Sequence, residues 1–506
     1  MFHHKSVEFH FPELADHRLN LKLIRIATAN PVKKVALAGA SGFVGTALRE
    51  SLGDKYEWIG LTRSASTVKA DTNCTTDWRS CDLFSLPQVR EALKGADIAI
   101  YLVHSMIQTS RLVQGNFRDL DLLLADNFIR AAEEAGIKRV IYLGGLIPSS
   151  EDGSHLSRHL ASRQEVEQVL GSRGIPVTVL RAGLILGPGG SSAQLLLNLV
   201  HRLPIMILPA WTRNISQSID IRDIVRAMDF CLESDDYIGS FDIAGHEAMT
   251  YREIILRTGK MVRKNTYSIS VPTNAIRLSR LWVSLFGSTP AYLVNPLVDS
   301  LRHNLSAKPN PLLDRIMDGS ISFEESVKNS IDSSGQALPH PMRRFRLSEK
   351  RKTHREKRVR SIQRLPLPDQ WPAHVLTKLY ANWIRRITLG LVREVHTSDG
   401  KLDLCLISPG RALIEMNLTP FSSDCQYRRA YYITGGMLVK NVEPPGRFEV
   451  RIFPKMGILV TALHGYKPRL PWWLYSISQA LIHVIVMHAF GRFLGRIRAR
   501  LIEKSR

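Results

Sequence analysis

Cysteine is scarce in this chain of 506 residues, and the five present (Cys74, Cys81, Cys231, Cys405, Cys425) are scattered, with no C-x-x-C pair and no Cys/His ligand spacing. That excludes a disulfide framework and a Cys/His zinc site, and it fits a reducing compartment. Long hydrophobic runs are also missing. The nearest, Leu470 to Leu494, is interrupted by Ser476, Ser478, Gln479, His483, His488 and Arg492. A helix spanning a membrane needs ~20 predominantly apolar residues, so no transmembrane segment is expected; a core helix is, with an interfacial one as the alternative. Met1-Phe-His-His-Lys lacks the apolar stretch of a secretory signal, so a cytoplasmic location is expected. Acidic residues are too few to balance the basic ones, 46 against 68, which leaves a formal charge of +22.

That charge is uneven. Between Arg343 and Arg360 ten Lys/Arg face only Glu349 and Glu356. Such a run reads as a solvated linker, and attraction to an anionic membrane is the second reading. No nucleic-acid-binding module accompanies it, so no nucleic acid partner is expected.

The length implies two or three domains. Residues 1–31 form a polar extension without a clear pattern. From Val32 short apolar runs alternate with helical patterns, which is the grammar of stacked βαβ units on a parallel sheet. Val35–Ala38, Tyr56–Leu61, Ile98–Val103, Val140–Leu143 and Val177–Arg181 are the strands, and their continuous apolarity says both faces are covered. The expected architecture is α/β: a doubly wound Rossmann-type domain over 32–250, then a helical substrate-side lobe over 251–335. A basic linker over 336–360 leads to an α+β domain over 361–506. In that last domain six antiparallel strands precede a long amphipathic helix. Its stripe, Ile477, Leu481, Val484, Met487, Phe490, Leu494, Ile497 and Leu501, steps by three or four residues.

Gly39-Ala40-Ser41-Gly42-Phe43-Val44-Gly45 follows a strand and opens a helix, the context a dinucleotide fingerprint requires. The first glycine permits the turn, the second lets backbone approach a pyrophosphate, and the third lets helix pack on strand. An NAD-preferring site carries a carboxylate at the end of the second strand. Here that end reads Leu61-Thr62-Arg63-Ser64, so Arg63 is placed to pair with a 2′-phosphate and NADP(H) is expected over NAD(H). The alternative is that Arg63 is a solvated loop charge. Asp82-Leu83 is placed to border the adenine.

These motifs, together with Tyr101-Leu-Val103-His104-Ser105-Met106, Tyr142-Leu-Gly-Gly145-Leu, Leu180-Arg181-Ala-Gly183 and Gly187-Pro188-Gly189, make residues 32–335 resemble the atypical short-chain dehydrogenase/reductases, near the extended (epimerase-like) and NmrA-like proteins. Ile219-Asp-Ile-Arg-Asp223 and Phe241-Asp-Ile-Ala-Gly245 are similar to that family's later landmarks. The last domain resembles, by element order, the helix-grip ligand-binding type.

The resemblance implies a Tyr and a Lys four apart on a helix, with a hydroxyl at the end of the fifth strand. This chain has His159 and Arg163 at the helix positions and Gly144-Gly145 at the strand end. His159 and His104 are therefore the candidate proton-transfer groups, and Arg163 is the candidate cofactor contact, with Val103 beside it. For both histidines the competing readings are structural: a solvated helix histidine for His159 and a loop cap for His104. Ser105, Ser149 and Ser150 are candidates for the missing hydroxyl. Trp211, Arg213 and Gln217 are candidate cleft residues, and Arg181 a buttress of its strand. Two functions stay open: an NADPH-dependent oxidoreductase of an unidentified small molecule with a non-standard active site, and an NADP(H)-binding regulator without chemistry.

Overall fold

Every strand expected in the first half forms, because each is an aliphatic run between turn residues. The computed structural model describes the chain except residues 1–31, 64–75, 105–111, 149–155, 203–204, 265–266, 272–297, 341–357, 397–400, 407–411, 421–425 and 506. The N-terminal extension, Ser105, Ser149, Ser150 and most of the basic run thus lie outside the described residues.

Strands β1 (Lys34–Ala38), β2 (Glu57–Thr62), β3 (Asp77–Ser80), β4 (Ile98–Tyr101), β6 (Arg139–Gly145), β7 (Val177–Ala182) and β8 (Gly239–Ile243) build a seven-stranded sheet in the order β8-β7-β6-β4-β1-β2-β3. All its pairings are parallel. The strand order reverses between β1 and β4, and open α/β sheets bind ligands in the crevice at that point. Helices α1 (Phe43–Leu52), α2 (Leu86–Leu93), α3 (Phe117–Glu134), α4 (Arg158–Leu170) and α5 (Ile221–Glu233) cover its two faces.

The C-terminal half is built on a mixed eight-stranded sheet and a long helix. Its strands are β9 (Val359–Pro366), β10 (Val392–His396), β11 (Lys401–Leu406), β12 (Ala412–Leu418), β13 (Arg428–Gly435), β14 (Gly446–Phe453) and β15 (Ile458–Tyr466), ordered β10-β11-β12-β13-β14-β15-β9. The six strands after the linker match the expected runs. β9 does not: Arg360, read as the end of a solvated linker, lies in this strand and is 5% exposed. Its neighbours Val359 and Ile362 are buried apolar residues, so the strand turns inward as soon as the charge run ends.

The eighth strand, β5 (Leu112–Gln114), comes from the first half. It pairs in parallel with Val359–Ser361 at the edge of the second sheet. The two halves also share one apolar core, in which Ile362, Phe453, Val460 and Ala462 pack with Leu122, Phe128 and Ile129.

The reason lies in α3. Its apolar positions 122, 123, 124, 128, 129 and 132 lie in that shared core, and the polar residues between them are buried as well, every residue from Asp119 to Ala132 being buried. The polar face is covered by the second sheet, which meets it with guanidinium groups. Arg364 grips Glu165 with two 2.8 Å bonds and Asp119 with one of 2.5 Å. Arg451 reaches Asp126, which Arg130 also holds. Burial opposes the charge on Asp126, but Arg130 and Arg451 outweigh it and hold the carboxyl below its ordinary range.

The amphipathic stripe of the last helix needs a correction. Ser478 breaks it into α6 (Trp472–Ile477) and α7 (Gln479–Ser505). Met487, Phe490 and Leu494 are buried against β9, β14 and the helix Ala373–Ile387, whereas Ile477 and Leu481 face outward at 67% and 55% exposure. Over the first half the sheet takes a different face, burying Tyr475 and Ala480 among Tyr431, Ile433 and Tyr466 and leaving Ile477 and Leu481 outside. By length and composition alone, Trp472–Lys504 is apolar enough to cross a membrane, and 22% of its most apolar window is buried.

Candidate active site at the switch point

The glycine loop forms at the carboxyl end of β1. Gly39 has φ +94°, a left-handed conformation that side chains disfavour, and a Cβ there would stand 3.1 Å from the Leu102 Cβ. A Cβ on Gly42 would stand 2.9 Å from the Gly39 carbonyl oxygen, and one on Gly45 would run into that oxygen and come within 2.8 Å of the Ala40 Cα. Ala40 is buried under the loop, and Arg49 holds its carbonyl at 3.2 Å. The backbone turn is therefore tight, and α1 starts at Phe43 without a side-chain cap. Its first N–H groups are oriented for an anion, so the loop fits a dinucleotide pyrophosphate. Ser41 and Val44 flank the turn in partly buried positions. The Phe43 ring enters space left by Gly187 and Gly190, where a Cβ would come within 3.1 and 2.9 Å of it.

At the tips of β2 and β3, Cys81 N–H donates to the Thr62 carbonyl, which sets exposed Arg63 beside Asp82. Asp82 caps its own turn through Phe84 N–H at 3.2 Å and accepts from Arg360 at 3.1 Å. Leu83 is buried in the core, and Asn127 binds its carbonyl at 2.8 Å.

The carboxyl end of β4 carries the chemistry-bearing residues. Val103 packs on the core, and His104 follows with its side chain 12% exposed. His104 Nδ1 lies 2.7 Å from Asp121 Oδ2, and Ser162 Oγ donates to the same oxygen at 3.1 Å. A carboxylate only accepts, so the Nδ1 position holds the proton and Nε2 keeps a lone pair. Among the described residues that buried Nε2 has no hydrogen-bond partner.

His159, on α4, brings its ring to 5.2 Å from the His104 ring. Its Nδ1 is 3.1 Å from Ser300 Oγ, which also meets Ser157 Oγ at 3.1 Å, and Ser157 N–H donates to His303 Nε2. Residues of the substrate-side lobe thereby fix the start of α4. Arg163, one turn after His159, approaches the Tyr142 hydroxyl at 3.5 Å.

The electrostatics correct one expectation. Burial, then the His104 and Arg163 charges, push His159 well below the ordinary histidine value. Burial and Arg163 also lower His104, against the pull of Asp121. Both shifts favour the neutral rings, so His159 is a buried imidazole tied to Ser300 and not a solvated helix histidine. Trp211 and Gln217 are corrected too. Trp211 packs edge-on against Tyr251, and Gln217 bonds Gly245 and Ala307, so both serve packing. Arg181 pairs with Glu167 at 2.6 Å, as a buttress.

Asp121, Ser162 and Ser300 escaped the motif reading because they belong to no fingerprint. One signal was present: carboxylates at 119, 121 and 126 inside the leucine-rich run of α3. Among the described residues no group of His, Cys, Asp and Glu is arranged to hold a metal.

The sequence profile of NAD(P)H-binding domains matches residues 39–196, the stretch from the glycine loop past α4. The chain is 35% identical over 112 residues to the auxiliary protein GraX of Staphylococcus aureus, a match spanning 22% of this chain and 36% of GraX. It is 23% identical over 306 residues to a UDP-glucose 4-epimerase of Vibrio cholerae, covering 54% of this chain and 88% of that one. Among solved structures it is similar to the Citrobacter triphenylmethane reductase complexed with NADP(H), at 15% identity and a TM-score of 0.47, covering 59% of this chain and all of that one. The loop, its helix and the profile agree: this chain carries an NAD(P)H-binding domain in its Rossmann-type half.

Proposed function

We propose that this chain is an NADP(H)-dependent oxidoreductase of a small carbonyl or alcohol substrate, in which His104 and Asp121 form the proton-transfer pair. The observation that carries the reading is the buried His104 Nε2 lone pair. Asp121 holds it at the carboxyl end of β4, two residues after Leu102, which borders Gly39.

The cofactor would be held by the Gly39–Gly45 turn, the first turn of α1 and Arg163, with Arg63 at its 2′-phosphate. When bound it supplies or accepts a hydride. His104 Nε2 takes the hydroxyl proton as the alcohol becomes a carbonyl, and it returns the proton in the reverse direction. Asp121 stabilises the imidazolium that forms, and Ser162 keeps the carboxylate in place. His159, neutral and tied to Ser300, closes the side of the pocket and orients the substrate oxygen. Arg163 stays charged and holds hydroxyl groups, since a guanidinium does not cycle its proton.

The test is turnover with a panel of carbonyls and alcohols, followed by absorbance of the reduced nicotinamide, for wild type and His104→Gln. Turnover in wild type and its loss in the variant is the expected result. Cofactor binding without turnover on any substrate would favour the regulator.

We propose in addition that α6 and the start of α7 rest on an anionic membrane surface. Trp473, Ile477, Leu481, Ile482 and Ile485 are each more than half exposed along these helices, and Arg492, Arg496 and Arg500 are exposed farther along. Co-sedimentation with vesicles containing phosphatidylglycerol should fall as salt rises. Absence of binding at low salt would remove this reading.

A further inference from the structure

The second half of the chain reaches both helices that hold the proton-transfer pair in place. On α3, Asp119 and Asp121 are two residues apart, a spacing that sends them to opposite sides of a helix. Asp121 meets His104 Nδ1 and Ser162 Oγ, whereas Asp119 turns to the second sheet and accepts from Arg364 Nε at 2.5 Å. On α4, Ser162 and Glu165 stand one turn apart, and Glu165 accepts from both Arg364 amino groups at 2.8 Å. One guanidinium thus bridges the same two helices that the Asp121–Ser162 bond joins.

The fork is planar and its donors are fixed relative to one another, so Asp119 and Glu165 cannot slide past each other without losing a bond. Burial opposes the charge on Glu165, but Arg364 and Arg118 outweigh it and hold the carboxyl below its ordinary range. Arg118 of α3 also reaches Glu165, at 2.8 Å, but its side chain is 38% exposed against 20% for Arg364, and a pair nearer water constrains less. The chain between His104 and Asp121 is anchored on the same sheet. β5 pairs with Val359–Ser361, and a Cβ on Gly115 would stand 2.7 Å from the Ile362 carbonyl oxygen, so β9 runs tight against the turn that opens α3. Asn116 then caps the helix, its side chain accepting from Asp119 N–H at 3.0 Å.

We propose that Arg364 is a positioning residue of the active site: by clamping Asp119 of α3 to Glu165 of α4, it sets the rotation of α3 that holds Asp121 against His104. The proton-transfer pair is then complete only while the second sheet is docked, which makes docking a control on activity. This rests on the reading of His104 and Asp121 as that pair. A displacement of about 1 Å at a reacting group costs about 100-fold in rate, so a contact on the far side of α3 bears on the chemistry.

The test is NMR of the full chain with nitrogen-labelled histidine rings, the His104 Nδ1–H being identified by its loss in His104→Gln. The exchange of that proton with solvent reports how firmly Asp121 holds it, whether or not any substrate turns over. Arg364→Met should speed the exchange at least tenfold, and Arg364→Lys, which keeps the charge without the fork, should fall between. Asp126→Asn, which removes the Arg451 ion pair farther along α3, should leave it within twofold. An unchanged rate in Arg364→Met overturns the proposal. So does an equal rise in Arg364→Met and Asp126→Asn, which would make Arg364 one docking contact among several. Should Arg364→Met fail to fold, Arg364→Lys decides, and a rate equal to wild type overturns the proposal. A wild type without a protected His104 Nδ1–H would overturn the proposal and the proton-transfer pair together, whereas the other adverse outcomes leave that pair standing.

Discussion

Arg451 in the second sheet donates to Asp126 Oδ2 of α3 at 2.5 Å and to Asn127 Oδ1 at 2.6 Å, and it is fully buried. Its remaining bonds go to Glu449, whose carboxyl burial would raise but Arg428, Arg447 and Arg451 hold well below the ordinary value. Removing one member of such a cluster strands charge in the interior, at a cost of ~3–5 kcal/mol. Arg451→Ala should therefore lower the urea midpoint by a margin that Arg451→Ala/Asp126→Ala partly restores. A single-variant loss below ~1 kcal/mol would mean the network is not intact in solution.

The same interface sets what a protease should do. Trypsin should cut first within residues 343–357, where the sequence is densest in Lys and Arg. The two fragments should then co-elute on size exclusion, since they share one core and a strand. Separation of the fragments without denaturant would contradict the docking described above.

Asp121→Asn keeps the shape at His104 and removes the charge that stabilises an imidazolium. Turnover should fall about 10²–10⁴-fold in this variant and in His104→Gln, with NADPH affinity within a few fold of wild type. Because His104 is lowered below 6.5, oxidation should be flat above that pH and decline only as pH falls beneath it. A rate that instead rises from pH 6.5 to 9 would assign the base to another group.

Four histidines, His104, His159, His464 and His483, are pushed below the ordinary value, in each case chiefly by burial, with His483 at about 4. A group with a lowered folded value takes up protons more readily when unfolded. Its stabilising contribution is complete above 6.5 and is lost as pH falls. Chemical denaturation should show stability declining from pH 7 to pH 4.5, with a shallower decline in His483→Gln. Equal slopes for the two proteins would place His483 in water.

A methyl group at Gly45 would meet the Gly39 oxygen and the Ala40 Cα, both backbone atoms that yield little. Gly45→Ala should cost ~1–3 kcal/mol of stability, and its cofactor affinity should fall at least tenfold because the turn must open. Gly95→Ala, at a turn with nothing within 4 Å of the added carbon, should leave affinity unchanged. Calorimetry and thermal melting of the two variants provide the comparison.

The sequence by itself determined the local elements and the anion cradle. A strand such as Val35–Ala38 is aliphatic throughout because both faces are covered, and Gly39, Gly42 and Gly45 are readable because only a missing Cβ permits that turn. The six late antiparallel strands were legible from alternation and their Pro/Gly turns. Tertiary structure decided what those elements meet. Nothing in periodicity says that the polar face of α3 is buried, since carboxylates in an amphipathic helix look solvated until the guanidinium groups that cover them, here Arg364 and Arg451, arrive from more than two hundred residues away. His104 and Asp121 likewise become a pair only because β4 and α3 pack side by side, and Arg360 changes from a linker charge into a buried one only because β9 borders β5. Local propensity acts over a few residues and is written in the order of the chain, whereas charge pairing and burial act through space.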